Sequence, residues 1–161
     1  MRHTNLPLIT AARERTTAVR LLAVWAAAFV ASSVANVAVG TALRVILNLP
    51  SNFAQIAPAN VVVITAVGVA AAVIVFAIVT RVAADPLRIY TFVVAPVGLI
   101  VSWLFDLALY VSRAFPGTTG RGVLALMSLH VITGAITVLL VRAQGLSRAP
   151  VIGESLPSRR S

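Results

Sequence analysis

The chain alternates between long apolar runs, uncharged except for Asp106 in the third, and short polar breaks. The hydrocarbon core of a bilayer is about 30 Å thick, and a helix needs about 20 apolar residues to cross it. Four runs reach about that length: 21–43, 61–79, 89–112 and 122–141, each bounded by Arg at one or both ends. Where no water reaches the backbone, every N–H and C=O must be paired inside the segment, so these runs are expected to be helical. That holds even for 61–79, whose Val and Ile content would favour a strand in water. The expectation is an all-α membrane protein, a four-transmembrane-helix bundle. Residues 1–19 form a basic N-terminal segment, 20–144 the membrane domain, and 145–161 a disordered tail.

The breaks carry turn chemistry. Residues 48–60 hold no charge and two prolines, and predict a loop whose Phe53 and Ile56 lie at the membrane interface. Asp85-Pro86 predicts a helix start, with Asp as N-cap and Pro at the first helical position. Pro96, inside the third span, removes one backbone hydrogen bond and predicts a kink, and Tyr90 is expected at the interface. Phe115-Pro116-Gly117 predicts a turn, with Thr118 or Thr119 capping the fourth helix. The basic lead and Ser33-Val34-Ala35 also fit a signal peptide, but the apolar run continues well past that site.

Polar residues inside the spans fall on stripes. Ala28, Ser32, Asn36, Gly40 and Arg44 recur every fourth residue, as do Gly98, Ser102, Asp106 and Tyr110. Small and polar stripes let helices approach and hydrogen-bond in lipid, so both are expected to face inward.

Composition changes the picture in two ways. With 60% hydrophobic and 11% charged residues, the chain is too apolar for an ordinary soluble domain. The net charge of +9 comes from Arg alone, and most of it flanks the spans. Only Arg44, Arg113 and Arg121 lie on the first and third loops, so the positive-inside rule puts both termini in the cytoplasm. With no aromatic–basic module, the expected partner is the lipid bilayer and not nucleic acid. A homo-oligomer or a membrane partner stays open. The absence of Cys, and the presence of only two His and four carboxylates, predict no disulfide, no metal and no cofactor.

Depth brings the polar residues together. Asn36, Asp106 and His130 lie eight, seven and nine residues inward from Arg44, Arg113 and Arg121. At about 1.5 Å per residue, all three sit about 10 to 14 Å below those arginines. Thr65 is about a turn shallower, and Ser102 is a turn from Asp106. The expected intramembrane cluster is therefore Asn36, Asp106, His130, Thr65 and Ser102. A buried carboxylate needs a proton or a donor, and His130 is the natural partner; Arg113, two turns along the same helix, is the rival. Such a cluster is either inter-helix glue or a protonatable pair serving a proton, ion or solute. Arg44, Arg113 and Arg121 would ring an outer mouth, or snorkel to lipid phosphates. No metalloprotease, hydrolase or nucleotide-binding motif is present. The function expected is a non-enzymatic structural or interaction component of the cell envelope. The alternative is a small proton-linked transporter or channel using Asp106 and His130.

The Ala-rich first span with Val34-Ala35-Asn36, the uncharged proline-containing first loop and the run Leu126-Met127-Ser128-Leu129-His130 resemble a bacterial family of four-span integral membrane proteins, a domain of unknown function. The resemblance covers about Arg20 to Arg142 and implies the four-span fold, but no activity. Small multidrug transporters are similar in architecture only, since their essential acid lies in the first span, where this chain has Asn36.

Overall fold

A computed structural model describes residues 6–143, with side chains from Ala18 onward. The expected disordered tail lies outside the described residues. The elements are α1 (Leu6–Ile46), a 3-10 turn (Ala54–Ile56), α2 (Pro58–Val82), a short α3 (Pro86–Ile89), a π turn (Tyr90–Val94), α4 (Ala95–Ser112) and α5 (Gly120–Ala143). Among the described residues there is no strand. Four stretches are long and apolar enough to cross a membrane: Ala18–Ile46, Pro58–Val82, Pro86–Ser112 and Gly120–Ala143.

Local chemistry sets the ends. Asp85 Oδ1 accepts from Arg88 N at 3.1 Å and caps α3, with Pro86 at its first position. Thr119 Oγ1 accepts from Gly122 N at 3.1 Å and caps α5. Pro96 lacks an N–H and would press on the carbonyl four residues before it. The helix answers with the wide π turn, in which the Ala95 N–H bonds Tyr90 O.

The helices pack in the order α2, α1, α5, α4, with α1 between α2 and α5, and α4 leaning on α5. The α1 stripe is the packing face: Ala28, Ser32, Asn36 and Gly40 are buried and Arg44 is half-buried. Two apolar clusters flank the level of Asn36. One gathers Val24, Ala28, Val69, Val73, Phe76, Tyr90 and Val141. The other gathers Leu49, Phe53, Ile56, Ala125 and Leu126.

Three expectations need correction. Phe53 and Ile56 do not turn outward to the membrane; both are buried in the bundle, because Gly122 leaves room for the Phe53 ring against α5. Arg44 Nη2 holds this loop down by donating to Ser51 O at 2.7 Å. Tyr90 is buried and meets Phe76 edge-on at 5.0 Å between ring centroids. The α4 stripe is not an inward face as a whole: Gly98 and Tyr110 are exposed, Ser102 is half-buried, and Asp106 is the only buried residue of α4. Because α4 touches one long neighbour instead of two, only a single position of its stripe reaches protein.

Candidate functional site

The polar residues at mid-bundle form two adjoining units. The first is centred on Asn36 of α1, which is 2% exposed. Its Nδ2 donates to Thr65 Oγ1 of α2 at 3.0 Å and to Thr133 Oγ1 of α5 at 2.7 Å. Thr133 in turn donates to Leu129 O at 3.0 Å. One amide thus ties three helices, a good return for a polar group in a bilayer, where hydrogen bonds must replace part of the hydrophobic drive. Asn36 Oδ1 is buried and accepts from no protein donor.

The second unit joins α4 to α5. Asp106 Oδ2 lies 3.2 Å from His130 Nε2, with the Asp106 side chain 7% and the His130 side chain 30% exposed. This is ion-pair distance, but the ring N–H is not aligned with the oxygen, so Oδ2 accepts no true hydrogen bond. The contact can therefore carry charge attraction, whereas a proton shared between the two would need the ring to realign. Nearby, Trp103 Nε1 donates to Met127 O at 3.2 Å and pins the same two helices. His130 and Thr133 stand three residues apart on α5 and share a face, which makes the two units neighbours.

Other expected members lie elsewhere. Ser102 Oγ donates to Leu99 O at 2.8 Å on its own helix, and so spends its proton there and not on Asp106. Arg113 is exposed and ends α4 in a left-handed conformation, φ 50°; His130, not Arg113, is the partner of Asp106. Arg121 is exposed and Arg44 is engaged with the loop, so the three arginines do not form a ring of free cations. Among the described residues no group of His, Asp or Glu is arranged to hold a metal ion. Thr133 is the residue that the depth argument missed; its spacing of three from His130 was the available signal.

Both units border a cavity of about 530 Å³ between α2 and α4. Asn36, Thr65, Ser102, His130, Thr133 and Thr137 supply polar lining, and Val and Ala side chains of α2 much of the rest. Tyr90 stands at one end, and Gln55 of the 3-10 turn at the other. Helices of this number, length and apolarity are those of a multi-pass integral membrane protein. No protein-family model, curated protein or solved structure matches the chain.

Proposed function

We propose that the chain is a non-enzymatic protein of a bacterial cell membrane, with both termini cytoplasmic, and that Asp106 and His130 form a protonatable binding element of a small proton-linked transporter. Membership of the bacterial four-span family that the chain resembles belongs to the same proposal. One observation carries it: the only buried residue of α4 is a carboxylate, held against an imidazole that lines a cavity. An ionisable group at membrane depth is costly, and a misaligned pair recovers little of that cost, so folding alone gives a weak reason to keep it. The buried Tyr90 at one end and the folded loop at the other argue for a carrier and against an open channel.

Asn36 supports a second reading for its own unit. Its amide nitrogen bridges three helices, so the structural role expected of the whole cluster falls on that node.

The test needs no known substrate. Purified protein in proteoliposomes on a solid-supported membrane is given a pH step, and the charge displaced is recorded. Protonation of the buried pair gives a transient in wild type that Asp106→Asn and His130→Gln both abolish. Equal transients in all three proteins overturn the proposal.

A further inference from the structure

The space between α2 and α4 is larger than the polar pair requires. At about 530 Å³ it falls in the range of roughly 300–1,000 Å³ typical of small-molecule sites. Gly68, Gly98 and Gly134 all line it, and a Cβ on any of them would meet nothing within 4 Å. Small residues on membrane helices usually allow two backbones to close up. Here no backbone closes up on them, and the missing side chains leave open volume.

We propose that this cleft binds a neutral single-chain amphiphile that enters sideways from the lipid, its hydroxyl or carbonyl head hydrogen-bonded at His130 and its tail lying along α2. The proposal rests on reading Asp106–His130 as a binding element and adds the class of ligand. The lining favours a neutral head, because it holds no Arg, Asp or Glu to offset a desolvated charge and its one imidazole, His130, is already matched by Asp106. The head has partners at hand: His130, half-buried, lines the cavity beside Asp106, and the buried Asn36 Oδ1 lacks a donor. The tail has an apolar wall running from Val61 to Val75, about 21 Å of helix.

Sideways entry follows from the ends and the flank. Tyr90, 2% exposed and braced on Phe76, stops one end, and the Ala54–Ile56 turn covers the other. Between them the lining residues Val63, Val67 and Gly98 are exposed, so protein does not cover the flank between α2 and α4. The π turn at Tyr90–Val94, whose two end residues line the cavity, gives α4 a place to hinge relative to α3.

The experiment uses the full chain in nanodiscs with hexadecanol carrying a photoactivatable diazirine in its tail, and maps adducts by mass spectrometry. Adducts are expected on Val67, Ala71 and Gly98. Excess hexadecanol suppresses them, whereas hexadecane and hexadecyltrimethylammonium do not. Gly98→Leu, which fills open space, removes the adducts without lowering the melting temperature. His130→Gln weakens hexadecanol competition about three- to tenfold, the loss of one hydrogen bond.

Adducts spread over all lipid-facing surfaces, or equal competition by hexadecane, reduce the cleft to annular lipid and overturn the proposal. So does a dimer that buries the cleft and excludes the probe, or competition unchanged in His130→Gln. Failure of labelling while the pH-step transient persists removes the amphiphile and leaves the protonatable pair. Loss of the transient with labelling intact removes the pair's proton role instead.

Discussion

Replacing Asn36 by Ala removes the two side-chain hydrogen bonds that join α1 to α2 and α5, at 3.0 and 2.7 Å. Hydrogen bonds between helices in membranes average about 0.6 kcal/mol and reach about 1.7 kcal/mol. Both bonds here are short and come from a side chain buried to 2% exposure. A total cost of about 1 to 2.5 kcal/mol is therefore expected, slightly offset because the unpaired Oδ1 leaves with the amide. The assay is reversible unfolding in mixed detergent micelles, followed by far-UV circular dichroism. A double-mutant cycle with Thr133→Val isolates the shorter bond, since the loss of the Thr133 bond to Leu129 O is common to both arms and cancels. The cycle should return a coupling of about 0.6 to 1.7 kcal/mol. A total cost below about 0.5 kcal/mol, or a coupling indistinguishable from zero, would refute the three-helix node.

Further outcomes follow from packing. Gly122→Ala should cost about 1 to 3 kcal/mol, because its Cβ would stand 2.8 Å from the ring of Phe53, which is buried and has no room to withdraw. Gly98→Ala, by contrast, should be neutral or mildly stabilising, since nothing lies within 4 Å and Ala is the better helix former; thermal melts of the two variants make the comparison. Phe76→Ala should cost about 3 to 5 kcal/mol through a cavity in the cluster shared with Tyr90, measured by the same unfolding assay. Gly117→Ala should also destabilise, because φ is +74° there and a Cβ would lie 2.5 Å from Asn52 Oδ1.

The spans were legible because a bilayer demands about 20 apolar residues of helix and the Arg residues mark where each stops. The α1 stripe was legible for a related reason: a helix with neighbours on two sides has little freedom in which residues it buries. On α4 the same rule failed. Gly98 and Tyr110 share the spacing of Asp106, yet a helix at the edge of the bundle presents most of its stripe to the outside. The depth count from flanking arginines brought Asp106 and His130 to one level, but said nothing of how they align. The loop escaped because the fit of Phe53 over Gly122 joins residues about seventy positions apart. The cavity escaped too, since it is the space left between α2 and α4; only Gly68, Gly98 and Gly134 hinted at it.

On the proposed reading Asp106 and His130 are kept for binding and not for folding, and the thermal stability of Asp106→Asn and His130→Gln against wild type, in one detergent at several pH values, decides between the two. The 3.2 Å contact lacks an aligned hydrogen bond, and neutral amides avoid the desolvation of a charge. Asp106→Asn should therefore match or exceed wild type, and His130→Gln, whose amide can still donate to the carboxylate, should stay within about 1 kcal/mol of it. A loss of more than about 1 kcal/mol in either, sustained across those pH values, would make the pair structural glue and contradict the account.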